Sequence, residues 1–221
     1  MSIAYAATWE QRWEDLGKVP MERIRTDPPP GQATLEDVVR LRETERRLFE
    51  LVDGTLVEKA PGWRESLLAG VIIHWLNNYL DQHPLGVATG ADGMTRLFDD
   101  TIRGPDVAFV NWNRLPGGQL PSQPIPDLVP NFVVEVLSVS NTYSEMSRKR
   151  REYFHAGVEM MWLVHPRERT FTYYLDTLHP VTLREGETLK LDQVLPGWEI
   201  NTGELFGRLD GRAAGNAEET T

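Results

Sequence analysis

The chain of 221 residues contains no cysteine, which excludes a disulfide framework and any metal site built on thiolates. It also lacks a long apolar run. The most apolar stretch, LLAGVIIHWLNNYL, is interrupted by His74, Asn77 and Asn78 and is too short to cross a bilayer. The opening MSIAYAATWEQRWEDLGK carries early acids and no apolar core, so no secretory signal is read there and a cytoplasmic location is expected. Bases are the minority sign, 23 against 33 acids, for a net charge of −10. That balance weighs against a protein that coats nucleic acid through Lys and Arg. It leaves room for an enzyme with one local basic wall around an acidic site. Several chemical signatures are missing too. PGGQLP lacks the lysine and helix start of a phosphate-cradling loop. No two histidines stand at zinc-ligand spacing, and Ser138 and Ser140 lie outside any G-x-S-x-G elbow.

What is present reads as a mixed α/β protein, 40% hydrophobic and 25% charged. Residues 1–33 are expected to form an N-terminal arm, a short amphipathic helix followed by the stiff linker DPPPGQ. Thr34 and Asp37 open a helix with a capping box. LFELVDGTLVEK (48–59) predicts a hairpin about Asp53-Gly54. A helix is expected over 63–82, with Leu67, Val71, Trp75 and Leu76 inward. Strand-like segments follow, including IRGPDVAFV, then a long Pro- and Gly-rich loop over 113–130. A strand at 131–137, a helix at 143–156 and strands at 159–165 and 170–175 form a central strand–helix–strand unit and its continuation. The polar tail, 210–221, predicts disorder.

Two carboxylates stand out against apolar surroundings. Asp106 follows Gly104-Pro105 and precedes VAFV; alone it also fits a turn residue at a strand start. Glu135 sits inside FVVEVL, where an uncompensated charge costs several kcal/mol, unless it faces solvent at a sheet edge. Placed on neighbouring strands, the two acids could converge on Mg²⁺, which prefers oxygen ligands. The bases Arg148 to Arg151 fit a solvated helix face, with Glu145 and Lys149 as an i,i+4 pair. Lys149 shares a face with Tyr153, however, and one face of this helix must turn towards the sheet carrying Glu135. His74, His155 and His165 read as packing or surface residues, and Trp63, Trp75, Trp162 and Trp198 as core or interface residues.

The succession FELVDGTLVEK, GPDVAFV, NFVVEVLSVSN, EMSRKRREYFHAGVEMMWLVHP and LPGWEINTGELF resembles the Uma-two family of restriction endonucleases, within the PD-(D/E)XK nuclease superfamily. The resemblance spans about residues 34–206 and implies a restriction-endonuclease-like core over 34–209, a mixed central sheet flanked by helices. It implies a Mg²⁺-dependent endonuclease acting on DNA, with Mn²⁺ able to substitute and no organic cofactor. Asp106 matches the aspartate of the PD motif and Glu135 the second acid. Val136 would offer its backbone carbonyl to the metal. The superfamily's lysine should follow directly, but Leu137 stands there; the family's lysine matches Lys149 on the next helix. Glu50 matches an upstream acid near the metal. Val139 stands where the family has proline, and His165 where it has aspartate. A homodimer is expected on two grounds. Restriction-type nucleases pair their sites, and Trp9, Trp13 and Leu16 form an apolar stripe that needs a partner or folds back on its own domain. A catalytically silent nuclease-like binding or scaffold protein is the rival reading.

Overall fold

A computed structural model describes residues 8–59 and 62–211. The chain opens with helix α1 (Trp9–Asp15) and helix α2 (Leu35–Glu45), the latter closed by a Thr34–Asp37 capping box. Strands β1 (Phe49–Val52) and β2 (Thr55–Glu58) form the hairpin. Its turn places Asp53 at φ 47° and Gly54 at φ 66°, the double positive φ that matches the twist of the flanking strands. A side chain at residue 54 would also strike the Gly31 backbone at 2.8 Å, so glycine is required twice over.

Helix α3 (Trp63–Gln82) leads to β3 (Gly86–Gly90), β4 (Thr95–Phe98), β5 (Thr101–Arg103) and β6 (Val107–Asn111). The stretch IRGPDVAFV, expected as one strand, is two. Gly104-Pro105-Asp106 carries the chain from a four-stranded sheet, order β2-β1-β5-β4, into a six-stranded one. Pro105 cannot donate to a ladder, which suits it to such a break. Beyond the loop, two short 3₁₀ turns included, come β7 (Phe132–Val136), α4 (Tyr143–Ala156), β8 (Met160–His165), β9 (Thr170–Tyr174) and β10 (Pro180–Arg184). The larger sheet runs β10-β9-β8-β7-β6-β3, and its β7–β8 pairing is parallel. Parallel neighbours need a long crossover, and α4 is that crossover. The pair β11 (Thr188–Lys190) and β12 (Glu199–Asn201), with helix α5 (Thr202–Gly207), covers the core beside α3. Among the described residues no helix is long and apolar enough to cross a membrane.

The larger sheet packs one face on α3 and the other on α4. Val107, Phe109, Phe132, Val134 and Val136 join the α3-side core, while Ala108 and Val133 join the α4-side core with Tyr153. On the first side Trp162 meets Phe132 at 4.4 Å, Phe171 at 4.7 Å and Trp198 at 5.7 Å between ring centroids. Trp162 and Trp198 are thus core residues, whereas Trp63 is 79% exposed. The inward face of α3 is Leu68, Ile72, Leu76, Tyr79 and Leu80. Of the expected set only Leu76 is fully inward; Leu67, Val71 and Trp75 lie half-buried on the flank. The apolar run is nearly continuous there, so periodicity leaves the rotation of the helix loose by one residue.

The N-terminal stripe takes the fold-back course. Leu16, Val19 and Ile24 pack with Val52 and Val57 of the hairpin, with Trp13 at the margin and its indole N–H donating to the Val19 carbonyl at 2.8 Å. One ground for a dimer is thereby narrowed: Trp13 and Leu16 have their partner within the chain, while Trp9 stays 44% exposed. Residues 1–7, within the expected arm, and 212–221, within the expected disordered tail, lie outside the described residues.

Candidate active site

Side-chain alternation sets up the site. Successive residues of a strand face opposite sides. Val134 and Val136 face α3, so Glu135 faces α4 with Val133; likewise Asp106 shares its side with Ala108. Both acids therefore sit on the α4 face, at the joined ends of adjacent strands. The Asp106 amide donates to the Val134 carbonyl at 2.9 Å. The Val136 amide donates to Asp106 Oδ2 at 2.8 Å, which fixes that carboxylate against β7.

Helix α4 begins at a full capping box between Thr142 and Glu145 and ends at Gly157, φ 107°. Its inward stripe is Met146, Lys149 and Tyr153, at helical spacing with a base where an apolar residue would be usual. Lys149 Nζ donates to Glu135 Oε1 and Oε2, both at 3.1 Å, and to Glu50 Oε1 at 3.0 Å. The Tyr153 hydroxyl donates to Glu135 Oε1 at 2.8 Å. The i,i+4 reading of Glu145 and Lys149 does not hold. Glu145 instead takes a forked pair from Arg23 at 2.9 and 3.1 Å, which ties the N-terminal segment to the start of α4.

Glu50 comes from β1 of the other sheet. It accepts from Arg103 Nη1 at 2.8 Å and from the Gly104 amide at 3.2 Å, besides Lys149. Arg103 also donates from Nε to Glu152 at 2.8 Å, and Glu152 accepts from Arg148 at 2.6 Å. Arg148 reaches Asp53 at the hairpin turn at 2.8 Å. Arg150 diverges and lies 4.5 Å over the Tyr174 ring, so the basic run divides its members between different tasks. Lys59, just after β2, donates to Asp106 Oδ1 at 3.0 Å and also to the Gly104 carbonyl.

Four acids (Glu50, Asp106, Glu135, Glu152) thus meet four bases (Lys59, Arg103, Arg148, Lys149). Burial alone would neutralise such groups; their partners decide otherwise. For Glu50, burial pushes the pKa up, but Lys149 and Arg103 outweigh it and hold the carboxyl well below the usual range. Glu135 goes the other way. Burial dominates, and Asp106 and Glu50 add repulsion, so its pKa is raised despite Lys149. Burial opposes the Lys149 charge, yet Glu135 and Glu50 overcome it and raise the pKa above that of an ordinary lysine. Tyr153 is held firmly neutral by burial and by Glu135.

Every residue placed in the site from the sequence is brought together here: Glu50, Asp106, Glu135, Lys149 and, as a backbone group, Val136. Lys59, Arg103 and Glu152 were missed. Lys59 was legible in principle, because Glu50 faces Val57 across the hairpin and Lys59 lies two residues beyond Val57 on the same face. Arg103, a base two residues before Pro105, gave a weaker signal.

Among the described residues no three His, Asp or Glu side chains are arranged to hold a metal ion. Mg²⁺ does not require such a set: it is commonly held by one or two carboxylates, with waters and substrate oxygens completing its shell. Asp106 and Glu135 fit that donor chemistry, and the strand geometry turns the Val136 carbonyl to the same side as its amide, towards Asp106. A cleft of about 370 Å³, lined by Gly62, Ser66, Gly90, Ala91, Asp92 and Asp106, brings solvent to Asp106.

The profile of the Uma2 family, described as "Putative restriction endonuclease", matches residues 35–203. The fold matches the crystal structure of "a putative nuclease belonging to DUF820" from Anabaena variabilis with a TM-score of 0.69. The two share 20% identity, over 80% of this chain and 98% of that one. No curated protein matches.

Proposed function

The chain belongs to the Uma2 family, described as "Putative restriction endonuclease", and from that premise we propose that it is a metal-dependent endonuclease hydrolysing DNA phosphodiester bonds. The carrying observation is that Glu50 and Glu135, from two strands, share the ammonium of Lys149, while Asp106, at the entry to β6, takes Lys59 and the Val136 amide next to Glu135. Asp106, Glu135 and the Val136 carbonyl would hold Mg²⁺ or Mn²⁺. Such an ion supplies Lewis acidity and lowers the pKa of a bound water.

The side chains supply the rest. The Val136 amide aims one Asp106 oxygen and leaves the carboxylate at the cleft. Lys149 opposes the upward push that burial exerts on Glu135, and so favours its ligand form. Tyr153 fixes the rotation of that carboxylate. Lys149 would orient the attacking water beside Glu135. Glu50, gripped by Arg103, sets the position of Lys149. A bound divalent cation would screen the repulsion between a phosphate and this acidic chain, whose net charge is −10. Two such sites acting on two strands would require a homodimer, for which a mass measurement at micromolar concentration is the check.

One observation favours the rival, catalytically silent reading: Glu50, Glu135 and Lys149 are buried and mutually paired, as in a structural core. Incubating purified protein with plasmid and Mg²⁺ or Mn²⁺, beside Asp106→Ala, decides between them. Nicking or linearisation that disappears in the variant supports the nuclease. Equal, absent cleavage with an intact fold supports the scaffold.

A further inference from the structure

We infer that Lys59, rather than Lys149 alone, is the lysine that contacts the substrate phosphate, and that it serves as counter-ion to Asp106 until a divalent cation enters. The inference deepens the nuclease reading and rests on it. It begins with access. The Lys149 side chain is 3% exposed and its ammonium already serves two carboxylates, so it has little freedom to reach a phosphate. The side chains of Lys59 and Asp106 are 13% and 19% exposed. Asp106 is the most exposed of the site's acids and lines the adjoining cleft, and Lys59 is the site lysine bonded to it.

Position supports the same assignment. The Lys59 amide donates to the Leu48 carbonyl at 2.9 Å, which extends the hairpin ladder beyond Phe49 and Glu58. Its backbone is therefore fixed, its side chain shares the Glu50 face, and four methylenes carry the ammonium to Asp106. The charge also reaches deeper, since Lys59 contributes favourably to the ionised forms of both Glu50 and Glu135. An ammonium 3.0 Å from Asp106 Oδ1 occupies a position where a cation is electrostatically favoured. A divalent ion at Asp106 would compete with it, and the freed ammonium would remain within reach of a phosphate at the cleft. In hydrolysis a water oxygen bonds to phosphorus, the bond from phosphorus to the leaving sugar oxygen breaks, and a water proton ends on that oxygen. Lys59 would neutralise a non-bridging oxygen throughout and would transfer no proton.

The test uses the full-length chain with Lys59→Met, close in length but uncharged, and Lys59→Arg. Mn²⁺ titration without nucleic acid reads the counter-ion role. Losing the competing ammonium should tighten Mn²⁺ by at least about tenfold in Lys59→Met. Binding of a labelled DNA duplex in a fixed concentration of Ca²⁺, a divalent ion able to displace Lys59 from Asp106, repeated across salt concentrations, reads the phosphate contact. The slope of log affinity against log salt should be smaller by about one in Lys59→Met and restored in Lys59→Arg. A merely structural lysine would weaken Mn²⁺ binding and leave the slope unchanged. Unchanged Mn²⁺ affinity and slope in Lys59→Met would overturn the inference even if wild type cleaves DNA. A changed slope in a protein that never cleaves would sustain the phosphate contact and remove the nuclease reading. Wild type that binds no duplex overturns the contact itself.

Discussion

Replacing Lys149 with Met tests whether the ammonium holds the buried acids together, and its cost can be worked from the hydrogen bonds. Met fills the volume of the Lys149 stem but supplies no donor. Glu50 keeps Arg103 and the Gly104 amide, so it stays satisfied. Glu135 keeps only the Tyr153 hydroxyl of its described side-chain partners. Removing one partner of a buried pair costs about 3–5 kcal/mol. In a chain of 221 residues that lowers the melting midpoint by roughly 6–20 °C. The cost depends on pH with a definite sign. Glu135, whose pKa is raised in the folded protein, detracts from stability as pH rises above its unfolded value. Glu50, whose pKa is lowered, contributes stability above its unfolded value and loses it as pH falls towards its folded one. Lys149→Met worsens the first effect and weakens the second, so the gap from wild type should widen between about pH 4 and 7. Adding Glu135→Gln should recover about 1–2 kcal/mol, because a neutral amide can still accept from Tyr153. Denaturant melts at pH 4 and 7 of wild type, both singles and the double variant supply the cycle. A Lys149→Met cost below about 1 kcal/mol at pH 7 would refute the reasoning.

Metal should stabilise the native state. Mn²⁺ at about 100 times its dissociation constant adds roughly 2.7 kcal/mol, and calorimetry should show the rise in wild type and lose it in Asp106→Asn and Glu135→Gln. Equal responses in all three proteins would misassign the ligands. Arg23→Ala leaves Glu145 buried without its forked partner and should cost about 3 kcal/mol at pH 7. Burial opposes the Glu145 charge, but the Arg23 hydrogen bond, the Lys149 and Arg23 charges and the Asn141 hydrogen bond together outweigh it and lower the pKa, so that loss should shrink as pH falls below about 4. Trp63→Ala, at an exposed position, should change stability by no more than about 0.5 kcal/mol in the same melts.

The elements whose local signals agree were legible from the sequence. Thr142, Glu145 and Gly157 bracket α4 at the positions that capping chemistry dictates, and Asp53-Gly54 fixes the hairpin. The break at Gly104-Pro105 was not read, because residues on either side are strand formers and only tertiary pairing assigns them to different sheets. Asp106, Glu135, Lys149 and Glu50 emerged as charges set in apolar surroundings or matched to a family motif. Lys59, Arg103 and Glu152 did not. Lys59 and Glu152 each adjoin a charged residue and Arg103 precedes a Gly-Pro break, and only pairing across the fold, as between Glu50 and Val57, distinguishes a charge bound for a buried partner from one bound for water. Glu145 shows the converse error: the nearest base at helical spacing was Lys149, but its partner is Arg23, 122 residues away in the chain.

Stability alone does not account for this charge cluster. Well-packed apolar residues in place of a buried ion pair are often neutral or stabilising. Met146 and Tyr153 on the same stripe of α4 show that the surroundings accept large side chains. The polar set also occupies the particular place where the chain passes from one sheet to the other, and it draws Glu50 from the first sheet and Asp106 and Glu135 from the second. Buried Lys149 joins Glu50 to Glu135, while Lys59 holds Asp106 at the opening. A core salt bridge needs no opening, and a surface pair needs no interior lysine. The proposed cation-binding phosphodiesterase site would use both: an inner base that keeps a carboxylate in its ligand form and an outer one at the substrate.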